Sequence, residues 1–160
     1  METTMTTPMV EKFWDNMINI HVVLLGTEGN KPVPMAPLAR KEDSAIWFIT
    51  AAEHDTFQAA KKGKLGTIYL CDPAGKMYGT VDGALSASGD SSKLDELWTS
   101  TAAAWFEQGR EDPSVRLMRF KPTEAEIWTT DGAAKYLFET IKANMTEDTP
   151  DTGEYGIIRF

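Results

Sequence analysis

From Pro8 onwards, apolar side chains recur at Val10, Phe13, Trp14, Met17 and Ile18, with polar residues between them. Spacings of three and four put these side chains on one face of a helix. Pro8 suits its first position, because the N–H that proline lacks would be unpaired there anyway. The texture then changes. Ile20 to Gly26 is β-branched and aliphatic, Glu28-Gly29-Asn30 reads as a turn, and Val33 to Ala39 follows. Lys41-Glu42-Asp43 reads as a second turn before the apolar run Ala45 to Thr50. Short runs of this kind, divided by tight polar turns, predict an antiparallel meander.

Further along, Thr56 to Lys62 predicts a short helix stopped by Gly63. Leu65 to Cys71 and Lys76 to Ser88 read as strands joined by the turn Asp72-Pro73-Ala74-Gly75. Gly79 and Gly83 fall inside the second strand, where glycine marks a bulge or a close backbone approach. Ser91, Leu94, Leu97 and Trp98 predict a helix, and Ala102 to Phe106 a shorter one. Val115 to Lys121 and Glu124 to Thr130 are expected to pair about a turn at Pro122-Thr123. Ala134, Leu137, Phe138, Ile141 and Met145 predict the longest helix, and Tyr155 to Phe160 reads as extended.

The sum is a mainly β chain of about six or seven strands with flanking helices at the start, middle and end. Strands and helices do not alternate as βαβ units, which disfavours a parallel Rossmann sheet. An antiparallel barrel, closed or partly closed, protects its edges and suits this order. A length of 160 residues fits one domain spanning 1–160, with residues 1–8 expected to be flexible.

Composition narrows the function. Hydrophobic residues make up 42% and charged residues 25% of the chain, an ordinary globular balance. A net charge of −8 repels phosphate backbones and anionic lipid heads, so neither nucleic acid nor membrane is expected as a partner. The start lacks the positive and apolar regions of a signal peptide. No apolar run reaches the roughly 20 residues that span a bilayer. A cytoplasmic protein is expected. Cys71 is the one cysteine, read as a small buried hydrophobe, and the two histidines, His21 and His54, are too few for a histidine-rich metal site. There is no Gly-rich phosphate loop and no G-x-S-x-G nucleophile elbow. Five tryptophans are generous for this length. Trp14 and Trp98, on helical stripes, are expected to pack the core, but aromatic faces also suit a large flat cofactor.

Several local motifs share an order and spacing. They are Phe13-Trp14, Met35-Ala36-Pro37, Ile46-Trp47-Phe48-Ile49-Thr50 and Asp72-Pro73, then Lys93-Leu94-Asp95-Glu96-Leu97-Trp98, Ala104-Trp105-Phe106, Ala125-Glu126-Ile127-Trp128 and Gly153-Glu154-Tyr155-Gly156. Together, from about Val10 to Phe160, they resemble the general stress protein 26 branch of the pyridoxamine 5′-phosphate oxidase-like superfamily. The resemblance implies an antiparallel split barrel and a homodimer with two flavin mononucleotide (FMN) sites between subunits. It implies that the flavin ring lies against Met35, Ala36 and Pro37, and that Trp47, Phe48, Ile49 and Thr50 line the ribityl chain and phosphate. Thr50 would donate its hydroxyl to that phosphate, with His54 in the turn that closes over it. Trp128 would help enclose the ring, and Trp98 and Trp105 would approach the partner's site.

The chain also departs from the better-known oxidases. Those carry basic residues on the strand that here holds Pro34 to Ala39, and again after the position of Thr50, where this chain has Asp55 and Thr56. A phosphate bears nearly two negative charges and wants compensation, for which His54, Lys61, Lys62 and Arg40 are the candidates. The oxidases' substrate residues are not evident, so oxidation of vitamin B6 is not expected and no catalytic residue is nominated. The resemblance implies a flavoprotein oxidoreductase acting on a small molecule. Alternatives are a flavin-binding or flavin-sensing protein without turnover, and a split barrel carrying deazaflavin F420 or haem.

Overall fold

In a computed structural model of the chain, residues 7–72, 77–129, 140–145 and 154–160 are described. The first helix, α1 (Thr7–Met17), is amphipathic as its spacing predicts, and it buries Phe13, Trp14 and Met17. Ile18 lies just past its end and is exposed. Phe13 meets Trp14 and Phe160 edge-on, with ring centroids 5.2 Å apart in each case, so the two ends of the chain share one aromatic cluster.

The strands are β1 (Val23–Thr27), β2 (Asn30–Met35), β3 (Leu38–Arg40), β4 (Ala45–Ala51), β5 (Leu65–Cys71), β6 (Met77–Ser88), β7 (Val115–Thr129) and β8 (Glu154–Arg159). Between them lie α2 (Asp55–Lys61), α3 (Ser91–Leu97) and α4 (Ser100–Ala103). Lys41–Asp43 is a single 3-10 turn closed by Ser44 at φ 49°. Asp90 caps α3 by accepting from the Lys93 backbone N–H, and Thr99 does the same for α4 with Ala102. Residues 140–145 are helical, and the rest of the long helix expected there lies outside the described residues. So do the turn residues 73–75 and residues 1–6.

All pairings are antiparallel, in the order β2-β1-β5-β6-β7-β4-β3, with β8 also on β7. The two ends of this sheet, β2 and β3, are consecutive in the chain with only Ala36 and Pro37 between them. The sheet must therefore curl until its ends meet. No ladder joins β2 to β3, and this seam makes the barrel a split one. Pro32 and Pro34 sit on β2, where an edge strand tolerates the missing N–H.

The expected single strand Val33 to Ala39 is thus two strands, broken at the seam. A second correction is larger. The expected hairpin of Val115 to Lys121 and Glu124 to Thr130 about Pro122-Thr123 is instead one 15-residue strand, β7, as far as Thr129; Thr130 lies outside the described residues. The strand pairs β6 from Leu117 to Thr129, while its other edge pairs β4 over Val115–Phe120 and β8 over Glu124–Thr129. Pro122 falls in the gap between those two ladders. Opposite it, Asp82 pairs Glu124 and Gly83 pairs Pro122, which leaves Thr123 as the extra residue of a bulge. These changes and the terminal strand bring the count to eight rather than six or seven.

Inside the barrel lie Leu25, Ile46, Phe48, Ile68, Met77, Val81, Leu85, Met118, Phe120, Ile127 and Ile158, closed by α1 and by Phe57 and Ala60 of α2. A second, smaller cluster lies on the outer side of β4 and β7 under α3. Among the described residues no helix is long and apolar enough to cross a membrane.

Candidate functional site

Three regions carry the exposed or unusual chemistry. The first is the outer face of β1 and β5 to β8. Side chains alternate along a strand, so Leu65, Thr67, Tyr69 and Cys71 point away from the barrel. Cys71 is exposed there, not buried as expected. Leu24 faces Tyr69 across the β1–β5 ladder. Cys71, Tyr78, Trp128 and Tyr155 form a row, one from each of four strands. Trp128 stacks on Tyr155 with ring centroids 4.9 Å apart and planes 38° apart, and the Tyr155 hydroxyl donates to Glu126 at 3.2 Å. Leu24, Leu65, Tyr69 and Trp128 are 43%, 61%, 42% and 44% exposed. Scattered apolar residues are normal on a surface, but four on one sheet face mark a face suited to a partner. Beside them an open groove of about 430 Å³ is lined by Gly26, Pro32, Thr67, Tyr69, Asp82 and Thr123 among others.

The second region is the barrel end where β4 exits into α2. Thr50 and Arg116 are cross-strand partners, so their side chains share a face. Thr50 is buried, but the fully buried side-chain polar atom that lacks a partner among the described residues is the Thr129 hydroxyl. Arg116 lies over the Phe57 ring at 5.9 Å. One turn on, the His54 Nδ1 and the Thr56 hydroxyl are 2.9 Å apart, with Thr56 buried and His54 exposed. The turn before β7 is built by Asp112, whose carboxylate accepts from the Ser114 backbone N–H at 2.9 Å and its hydroxyl at 2.8 Å. Those two bonds, backbone first, hold the Asp112 carboxyl below its usual pKa against a smaller opposing effect of burial.

The third region is the outer side of β4. Trp47 is buried there with Leu94, Leu97 and Leu117, and Trp98 and Phe106 pack against the cluster. Its indole N–H donates to Asp43 at 3.0 Å. The Lys93 ammonium donates to the same carboxylate at 2.8 Å and pairs with Glu96 at 2.7 Å. Lys93 and Arg119 both lie over the Trp47 ring, at 5.6 and 5.8 Å, and Arg119 donates to the Asp43 carbonyl. The Lys93 hydrogen bond is the main reason that the Asp43 carboxyl titrates below its ordinary value; burial opposes it, while Trp47 and Arg119 help. Lys93 is raised in turn, first by its bond to Asp43 and then by Glu96.

A family model described as pyridoxamine 5′-phosphate oxidase like matches residues 8–151. The chain belongs to that family. Within it the general stress protein 26 branch fits best. A candidate general stress protein 26 from Jannaschia sp. CCS1 is 36% identical over 96% of this chain and 98% of its own, with a TM-score of 0.86. The general stress FMN/FAD binding protein of Xanthomonas citri is 26% identical over 78% of this chain and 90% of its own, with a TM-score of 0.70. The General Stress Protein 26 of Bacillus anthracis str. Sterne shares the fold at 19% identity and a TM-score of 0.61, covering 77% of this chain and 95% of its own. No curated protein matches the chain.

Against this family frame the expected site residues divide. Trp47, Ile49 and Trp98 come together under α3. Phe48 is fully buried inside the barrel, so only its backbone faces outward chemistry. Thr50 and His54 flank the β4 exit. Met35, Ala36 and Pro37 form the seam, with Met35 against the core, Ala36 exposed and Pro37 buried. Lys61 is exposed in the last turn of α2, and Trp105 is 82% exposed just beyond α4. Trp128 stands on the outer face. Of the other cations considered, Lys62 is exposed and Arg40 donates to its neighbour's carbonyl, Ala39. Arg116, Arg119, Lys93, Tyr78 and Tyr155 were not expected. For the two arginines a signal existed: each interrupts the apolar pattern of a strand.

Proposed function

We propose that the chain is an FMN-binding flavoprotein that works as a homodimer, each cofactor held between two copies, and that it oxidises or reduces a small organic molecule. The observation that carries this is the likeness, along 78% of the chain, to a Xanthomonas citri protein that is itself FMN/FAD binding. The residues present fit such a group. A flat isoalloxazine ring needs an aromatic or apolar face, and the Trp128–Tyr155 stack is an exposed one. Its polar edge needs backbone partners, and Ala36 at the seam lies outside both neighbouring ladders. Its phosphate needs donors, and Thr50 stands at the end of β4 opposite Arg116, its partner across the ladder. The bound flavin would supply the hydride chemistry, and the protein its position and surroundings. The exposed apolar residues of the outer sheet face suit a second copy as partner.

The visible spectrum of the purified protein tests this reading. Flavin bands are expected, at once or after FMN is added. A Soret band would assign haem, and a folded, colourless protein that ignores FMN would refute the reading. Anaerobic mixing with NADH or NADPH then separates the two flavin roles. Loss of the yellow colour supports an oxidoreductase, and its persistence supports a flavin-binding or sensing protein without turnover.

A further inference from the structure

We infer that Tyr155 is a redox-active tyrosine: it gives an electron to an oxidised Trp128 ring and its phenolic proton to the Glu126 carboxylate. The oxidant is a one-electron radical species that reaches the outer sheet face. The step needs no bound flavin and goes beyond the reading above. Indole and phenol rings give up a single electron more readily than phenyl or aliphatic groups, so the surroundings of each tryptophan decide where oxidation settles.

The five tryptophans differ in those surroundings. Trp14 packs on Phe13 and Phe160, and Trp98 on Phe106. Trp47 is buried with Lys93 and Arg119 over its ring, and positive charge there opposes the loss of an electron. Trp105 and Trp128 are exposed. Among the described residues no ring stacks on Trp105, and Trp128 is the one tryptophan with a tyrosine against it. With centroids 4.9 Å apart, Trp128 and Tyr155 exchange an electron across a direct contact. Oxidised phenol is a strong acid, so a stable tyrosyl radical forms only where a base takes the proton. The Tyr155 hydroxyl donates to Glu126 at 3.2 Å, within reach for that transfer. Glu126 and Trp128 are two positions apart on β7 and share its outer side, so the carboxylate's charge also favours oxidation of this indole.

Electrons and protons balance. The oxidant takes one electron from Trp128, and the indole N–H proton goes to water. The indolyl radical then takes an electron from Tyr155 and a proton from water, while the phenolic proton passes to Glu126. Trp128 is restored, and the radical is held on the outer face, away from the buried Trp14 and Trp47.

Pulse radiolysis of the full chain in azide buffer tests this, with the azidyl radical as oxidant. In wild type a tryptophanyl signal should decay as a tyrosyl signal grows, at a rate independent of protein concentration. Tyr155→Phe keeps a stacked ring without a phenol and should lose most of that growth. Glu126→Gln should slow it about 10-fold or more. Trp105→Phe removes the other exposed tryptophan and should retain it. Tyr78→Phe makes the same change on the opposite cross-strand side of Trp128 and should retain it too. A wild type without tyrosyl growth, or growth that Tyr155→Phe leaves unchanged, would overturn the inference. Loss with Tyr78→Phe instead would overturn it as well. Growth as fast in Glu126→Gln as in wild type would remove Glu126 as the proton acceptor.

Discussion

Lys93 and Asp43 lie 50 positions apart in sequence, yet the Lys93 ammonium donates to the Asp43 carboxylate at 2.8 Å and so ties α3 to the outer side of β4. The same carboxylate accepts from the Trp47 indole, so one acidic residue fixes a helix and a buried ring. The pH dependence of stability follows. Asp43 titrates below its ordinary 3.8 in the folded state, so its contribution is present above that value and is lost as pH falls through the lowered one. Lys93 is raised above 10.5, so its contribution is present below that value and is lost as pH climbs through the raised one. Both groups keep some contact with solvent, which keeps the effect modest. Urea unfolding across the pH range should show a plateau at neutral pH and losses at both extremes. Asp43→Asn should flatten the acid limb, and Asp43→Ala should lower stability by about 1 kcal/mol at pH 7. An acid limb that Asp43→Asn leaves unchanged would contradict this assignment.

The bulge between β6 and β7 makes a separate prediction. A Cβ on Gly83 would lie 2.5 Å from the Lys121 carbonyl oxygen and 2.6 Å from the Phe120 ring, whereas one on Gly89 would meet nothing within 4 Å. Gly83→Ala should therefore destabilise the fold by about 1–3 kcal/mol. Gly89→Ala should differ from wild type by less than about 0.5 kcal/mol. Equal midpoints in chemical denaturation for the two variants would argue against the close approach of β6 and β7.

The outer sheet face predicts an assembly. Leu65 is 61% exposed at its edge, so Leu65→Asp should leave the fold intact. If a second copy covers this face, the substitution buries an unpaired charge and should shift a dimer towards monomer. Sedimentation velocity at micromolar concentration reads this directly. A wild type that is monomeric throughout would rule out the dimer.

Phe13 tests how the chain ends contribute. It is fully buried and touches Trp14 and Phe160, so Phe13→Ala should cost about 3–5 kcal/mol, measured by chemical denaturation. A cost below about 1 kcal/mol would mean that α1 is not part of the main core.

Local signals made much of the fold legible. The stripe of Val10, Phe13, Trp14 and Met17 is α1, and Leu65 to Cys71 is β5 to the residue. What local pattern could not show is a strand with three partners. Pro122-Thr123 has the composition of a turn, yet β7 runs through it because β4 and β8 share one of its edges in succession. The site was less legible for the same reason. Thr50 was visible as the polar end of an apolar strand, but Arg116 becomes its neighbour only through the β4–β7 register. The Lys93–Asp43 bond and the Trp128–Tyr155 stack likewise depend on long-range pairing. Cys71, in an apolar run, reads as buried, and only the alternation of β5 turns it outward.

Flavin binding is the central claim, and equilibrium titration of the apoprotein with FMN, followed by flavin fluorescence, tests it most directly. The account predicts saturable binding with one FMN per chain, weakened by Trp128→Ala. A folded protein whose added FMN keeps the fluorescence of free flavin at every protein concentration would contradict it.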